Sequence, residues 1–351
     1  MTLRSTLEMA LQRLWKEVLQ QPEVKAEDNF FELGGDSILA MRLLGRLEEE
    51  FGMPVPLATL FQYPILRETA DAMRALFDEG PPRTSVVRLF GEDVPADAPA
   101  LFFLHPGDGE LHHYLPLIQR LGNRARCFGI QAPETVSSRT FATFDERIAA
   151  YVQDIRAVQP HGPYRLLGYS YGGCAAYGMA AALEAAGEEV ALLGLLDAHT
   201  VSEGGPDIRN ANPLHVMAEE FGVYDAQLEQ ELATKDLAGQ WELVAARARA
   251  IGALAPHFDG AQLARVYHVM GEVLVPQVQR WTFPSLRGRA LLITSSESRG
   301  RVGETLGWER YMRREQLDLV PFEGSHIGTI HPPQVDVVVQ RLRAELGLTE
   351  E

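Results

Sequence analysis

Cysteine is scarce, with two residues in 351, and neither Cys127 nor Cys174 has a partner at a metal or redox spacing. That excludes a disulfide framework and a thiolate metal cage, and suits a reducing compartment. No apolar run reaches the roughly 18 residues needed to span a bilayer, and the N-terminus lacks the basic, apolar and small-residue succession of an export signal. A soluble, cytoplasmic chain is expected. Positive charge is also short: 32 Lys and Arg stand against 48 Asp and Glu, for a net −16. Residues 1–80 hold 8 against 14, so both ends of the chain repel a phosphate backbone, and nucleic acid is not an expected partner. His105, His112 and His113 lie close together without a defined ligand pattern such as His-Glu-x-x-His, and they read as loop and core residues rather than as a metal site.

What is present is ample apolar material, 46% of residues against 23% charged, in a chain long enough for about two domains. Leu7, Leu11, Leu14, Trp15, Val18 and Leu19 recur at helical intervals over residues 6–19. A loop then leads through Asp28-Asn29-Phe30-Phe31-Glu32-Leu33-Gly34-Gly35 to Asp36, a candidate cap for a second helix whose apolar positions are Ile38, Leu39, Met41, Leu43, Leu44, Leu47 and Phe51. A short segment at 57–63 and a helix at 65–77 complete a small helical bundle. Two Pro-rich stretches, Gly80-Pro81-Pro82 and Val94-Pro95 to Pro99, bracket a strand-like Val86 to Phe90, placing a domain boundary near residue 80.

Beyond the boundary, apolar strands alternate with helical stretches: Ala100–Leu104, Arg126–Ile130, Tyr164–Leu167, Ala191–Leu196 and Arg289–Thr294. Such alternation predicts a mostly parallel sheet with helices on both faces. The strand at Tyr164 runs into Gly168-Tyr169-Ser170-Tyr171-Gly172 and then an Ala-rich helix, the strand–turn–helix setting of a nucleophile elbow. Ser170 is the candidate nucleophile, and the N–H of Tyr171 a candidate oxyanion donor. In the α/β-hydrolase order the acid comes next and the histidine last. Asp197 ends the strand Leu192 to Leu196, and His326 sits in a Gly-Ser loop after the apolar run Leu317 to Val320. His331 competes with His326 but abuts Pro332-Pro333, where a helix entry is expected. The loop His105-Pro106-Gly107-Asp108-Gly109-Glu110 offers the second oxyanion donor, with Asp108 the chosen residue.

Asp28 to Leu44 closely resembles the carrier domains of non-ribosomal peptide synthetases. The set Leu104-His105-Pro106-Gly107, Gln159 to Tyr164, Gly168 to Gly173, Leu196-Asp197 and Gly324-Ser325-His326 resembles their terminal thioesterases. The resemblance implies a four-helix carrier over residues 1–79, a linker at 80–85, and an α/β-hydrolase domain over 86–351 with a helical lid at about 200–285. It implies a 4′-phosphopantetheine arm on Ser37, acyl transfer to Ser170, and release by hydrolysis or cyclisation. The implied partners are upstream adenylation and condensation modules, in cis or in trans, and a phosphopantetheinyl transferase. Two alternatives stand beside terminal release: an editing thioesterase, or an inert docking module. Gly107-Asp108-Gly109 departs from the small uncharged residues of many relatives, since a carboxylate beside an oxyanion hole must point outward or meet a cationic group.

Overall fold

The computed structural model describes residues 3–35, 37–51, 55, 57–79, 84–90, 94–95, 98–122, 124–136, 139–200, 212–251, 254 and 258–348. At the N-terminus, α1 (Leu3–Leu19), α2 (Ser37–Phe51), α3 (Leu57–Gln62) and α4 (Leu66–Glu79) pack around one apolar cluster. The i, i+3, i+4 recurrence of α1 buries Leu7, Leu11, Leu14, Trp15 and Val18, and α2 answers with Ala40, Leu43 and Leu47. Phe30 anchors the loop between them, its ring edge-on to Trp15 at 5.1 Å. The expected bundle is present, each helix within a few residues of its predicted span. Asp36 and residues 80–83 of the linker lie outside the described residues, as do the side chains of Ser37 and Met41.

The rest of the described chain is built on seven strands: β1 (Val86–Phe90), β2 (Ala100–Leu104), β3 (Arg126–Ile130), β4 (Tyr164–Tyr169), β5 (Val190–Leu196), β6 (Ala290–Ser295) and β7 (Leu317–Phe322). Their order is β1-β3-β2-β4-β5-β6-β7, with β1 antiparallel to β3 and the others parallel. The run at Leu317, read only as apolar, is the last strand. Successive side chains face opposite ways, so Phe102 and Leu104 join one core while Leu101 and Phe103 join the other. After α5 (Leu115–Leu121) and α6 (Pro133–Val136), α7 (Phe144–Val158) and α8 (Tyr171–Ala185) cover the first face. On the second face lie α5 and, at the C-terminal end, the helix Val335–Glu345. Being buried on both sides explains why these strands read as continuous apolar runs. α3 lies alongside β1, and Leu115 at the start of α5 joins the apolar cluster of the N-terminal bundle.

Between β5 and β6 comes a helical insertion: α9 (Pro213–Glu220), α10 (Ala226–Leu232), α11 (Leu237–Ala250) and α12 (Gly260–Tyr267). It has its own apolar cluster. Residues 201–211 of the expected lid lie outside the described residues. The helical spacing of Leu243, Ala246, Ala250 and Leu254 predicts that those positions face inward on α11, and the structure differs. The buried positions are Trp241, Val244, Ala245 and Ala248, and Ala250 is exposed. Trp241, the largest apolar group, packs on Tyr267 at 5.9 Å and turns the helix toward itself. α12 continues as a π-helical turn, His268–Leu274, into α13 (Val275–Gln279). Pro276 accounts for the widening, because it has no N–H to donate and its ring would strike the carbonyl four residues back. Among the described residues no helix is long and apolar enough to cross a membrane.

Candidate active site

The turn from β4 into α8 is forced by close backbone approach. A Cβ on Gly168 would lie 2.0 Å from the Gly172 carbonyl oxygen, and one on Gly172 would lie 2.4 Å from that of Leu104. Only glycine fits at either place. Between them Ser170 takes φ +55°, ψ −126°, its N–H donating to the Leu196 carbonyl at 3.1 Å. The serine thus stands at the carboxyl end of the sheet where α8 begins, and the first N–H groups of that helix, Tyr171 foremost, have no carbonyl within the helix to bond.

Asp197 follows β5 and is fully buried. Its carboxylate accepts hydrogen bonds from the Ser295 N–H (2.7 Å), the Ser295 hydroxyl (2.7 Å), the Ser298 hydroxyl (2.7 Å) and His326 Nδ1 (2.9 Å). Burial alone would raise its pKa, but the bonds from His326, Ser298 and Ser295 outweigh it and hold the group below the usual carboxylate range. The sequence prediction overlooked Ser295 and Ser298. Their signal was the abrupt polar run that ends β6, where the next helix, α14 (Ser296–Val302), is capped by the Ser295 hydroxyl.

His326 lies in the loop after β7. Its N–H donates to Glu297 Oε2 at 2.8 Å, and its ring stacks on Tyr169 at 4.9 Å and 24°. The Tyr169 hydroxyl donates to the His326 carbonyl at 3.2 Å, so one tyrosine holds both ring and backbone of the histidine. Tyr169 is itself fixed by its N–H, which donates to the Tyr114 hydroxyl at 2.7 Å, and Tyr114 donates onward to the Leu104 carbonyl. No hydrogen bond joins Ser170 Oγ to His326 among the described residues, a looseness common in hydrolases without substrate. His331 does not reach Asp197; its N–H donates to the Gly328 carbonyl, and burial lowers its pKa.

On the other side of the elbow, the loop after β2 turns at Gly109 (φ +83°), whose N–H donates to the Pro106 carbonyl at 3.1 Å. The Asp108 carboxylate points into its own segment: Oδ1 accepts the Glu110 N–H at 3.0 Å, and Oδ2 meets His113 Nε2 at 2.5 Å. Fully buried His105 bonds the Pro106 carbonyl through Nδ1 and the Tyr151 hydroxyl through Nε2, both at 2.8 Å, with its ring stacked on Tyr171. Burial pushes the His105 pKa down to about 4, so it is neutral at pH 7. Behind it Arg147 bonds Tyr151, pairs with Glu134 at 2.5 Å and 3.0 Å, and reaches Gln277 of α13 at 3.0 Å. No local pattern marks this network, because bonded partners in it lie up to 130 residues apart. The expected core role of His105 stands, and Cys127 and Cys174 are buried thiols.

A family model described as thioesterase domain matches residues 99–346. The chain belongs to the thioesterase domain family. A second family model, for the phosphopantetheine attachment site, matches residues 10–73, so a carrier region precedes the thioesterase. Within that region Ser37 opens α2 with one residue between it and the pair Gly34 (φ +93°) and Gly35. A Cβ on Gly35 would lie 2.4 Å from the Phe30 ring, while the Gly35 N–H donates to the Phe30 carbonyl at 2.9 Å. A serine hydroxyl at the start of a 15-residue helix suits attachment of a phosphodiester, which the helix N-terminus favours.

Among curated relatives, malpinin synthetase from Mortierella alpina is 37% identical over 201 residues, 55% of this chain and 2% of that protein. The dimodular nonribosomal peptide synthase of Bacillus subtilis (strain 168) is 36% identical over 197 residues, 56% of this chain and 8% of the relative. The thioesterase chain thus spans a small part of the length of these synthetases. Of solved structures, the four-domain nonribosomal peptide synthetase holo-AB3403 superposes with TM-score 0.63 at 23% identity, covering 98% of this chain and 26% of its own. The Vlm2 thioesterase domain bound with a dodecadepsipeptide gives 0.55 at 18%, covering 76% and 98%. These two share the fold.

Proposed function

We propose that the chain is the terminal carrier and thioesterase of a non-ribosomal peptide or hybrid peptide–polyketide assembly line. The contact between His326 Nδ1 and Asp197 Oδ2, one loop away from the strained Ser170 in a chain that also bears a carrier, carries this reading. The proposed units are a carrier over 1–79, a linker at 80–85 and a thioesterase over 86–351, with its lid at about 200–285. When attached to Ser37, the phosphopantetheine arm supplies a thiol that holds the acyl group as a thioester. Ser170 Oγ attacks the acyl carbonyl while His326 Nε2 takes its proton. Asp197 fixes the tautomer that leaves Nε2 free and stabilises the imidazolium. The N–H groups of Tyr171 and Asp108 stabilise the oxyanion. The C–S bond then breaks, His326 gives its proton to the leaving sulfur so that it departs as a thiol, and an acyl ester remains on Ser170. Water or a nucleophile within the substrate, deprotonated by His326, releases it. The proposed partners are upstream synthetase modules and a phosphopantetheinyl transferase, in the cytoplasm.

Loading the chain from a synthetic acyl-coenzyme A with a phosphopantetheinyl transferase, which releases 3′,5′-ADP as the phosphodiester forms on Ser37, and following its intact mass tests the reading. Ser37→Ala should prevent loading, whereas Ser170→Ala should load and then retain the acyl group. Loading of Ser37→Ala overturns the carrier assignment. Normal release from Ser170→Ala, or no release and no fluorophosphonate labelling of Ser170 in the unmodified sequence, overturns the enzyme reading in favour of a docking module.

A further inference from the structure

Asp108, His112 and His113 are brought together by a short rigid segment outside the proposed triad. Their ligand atoms all lie within 4.8 Å of one another. The two imidazoles sit face to face, with centroids 3.9 Å apart at 33°. Asp108 is held at one end by the Gly109 turn, and its Oδ1 is occupied by the Glu110 N–H, which presents Oδ2 to the histidines. At the other end His112 and His113 lie in a single turn, His112–Tyr114, and Tyr114 is bonded to the ends of both β2 and β4. The side chains of His113 and Asp108 remain 25% and 17% exposed, so the group is reachable from solvent.

We propose that these three residues form a binding site for one divalent transition-metal ion of the zinc, cobalt or nickel type. The donor set decides the class: two imidazoles and one carboxylate favour borderline ions, whereas magnesium and calcium take oxygen ligands. Ligand atoms around a tetrahedral zinc lie roughly 3.3 Å apart, from metal–ligand distances of about 2.0–2.1 Å. Asp108 and His113 are now closer than that, because a proton lies between them; His112 must swing inward. On a neutral ring, metal entry at Nε2 shifts that proton to Nδ1, and water completes the coordination. The adjacent pair His112-His113 has no familiar ligand spacing to Asp108, which is why the sequence alone reads both as loop and core residues rather than as ligands. The inference does not rest on the proposed reaction. It places a cation on the loop that carries the Asp108 N–H, with the His113 ring 6.3 Å from Tyr169.

The test is titration of the full chain, with its carrier unmodified, by cobalt(II) with visible absorption and by zinc(II) with calorimetry at neutral pH. One saturable equivalent is expected. His112→Asn and His113→Asn should each weaken binding by at least about tenfold, the double variant should bind none, and His326→Asn should bind as the parent does. The proposal fails if the parent shows no saturable equivalent, if the double variant still binds, or if binding is lost with His326→Asn. If the variants do not fold, zinc protection against diethyl pyrocarbonate in the parent chain decides: protection of His112 and His113 but not His326 supports the site, and equal modification of all three overturns it.

Discussion

Two aspartates flank the elbow, each bonded to an imidazole, yet their surroundings differ. Asp197 is fully buried and receives four hydrogen bonds from three residues; Asp108 keeps some exposure, with one backbone N–H and one imidazole. A carboxylate whose lone pairs are all used can do one thing, which is to hold His326 in one orientation. A carboxylate with spare lone pairs and a route to water can exchange its partner. The comparison teaches that an Asp–His contact identifies a role only together with everything else bonded to the acid.

The largest expected separation between the two is kinetic. Asp197→Asn should slow release on the order of 10⁴-fold, the cost of a misplaced tautomer in serine proteases, while loading of Ser37 stays normal. Near-normal release, measured on the loaded chain, would break the comparison and remove Asp197 from the proposed triad.

Next comes pH, through the fully buried His105. Its folded pKa is about 4 against 6.5 unfolded, so its contribution to stability is complete above pH 6.5 and is lost as pH falls toward about 4. The full span amounts to about 3 kcal/mol. Thermal melts of His105→Gln should therefore flatten over that range, and an unchanged acid slope would contradict the neutral buried imidazole. Smaller again, Ser298→Ala removes a hydroxyl bonded to the Asp197 carboxylate and should cost about 2 kcal/mol in denaturant unfolding. No loss would show that Asp197 is not saturated. The smallest effect belongs to Asp108→Asn, because the carboxylate is turned away and the N–H proposed for the oxyanion is kept: release should fall by less than about tenfold. A loss as large as that of Asp197→Asn would erase the distinction.

Much of this arrangement is legible in the sequence, because strand-end motifs are local. Gly168 to Gly172 dictate their own turn, and Asp197 and His326 stand at the ends of apolar runs that must be strands. The supports of those residues are not local. Ser295, Ser298, Tyr169, Tyr114, and the chain from His105 to Glu134 and Gln277 act across elements whose pairing no periodicity reveals. The helical insertion between β5 and β6 shows the same limit: α11 faces inward according to where Trp241 and Tyr267 meet, a contact between helices that spacing along one of them does not reveal.

Ser170 at φ +55° and Asp197 at φ +47° are among the few non-glycine residues in the left-handed region, and they end neighbouring strands. Each such conformation costs on the order of 1 kcal/mol or more for a residue with a side chain. Glycine at both positions would relax the backbone and leave the sheet, the two cores and the helical insertion as they are. That cost, carried at two neighbouring strand ends beside the proposed site, is the backbone's own pointer to Ser170 and Asp197 as the residues to test. The same geometry sets which replacements are fair probes: asparagine tolerates the left-handed region and so reports on chemistry at position 197, whereas a β-branched residue would mix chemistry with backbone strain.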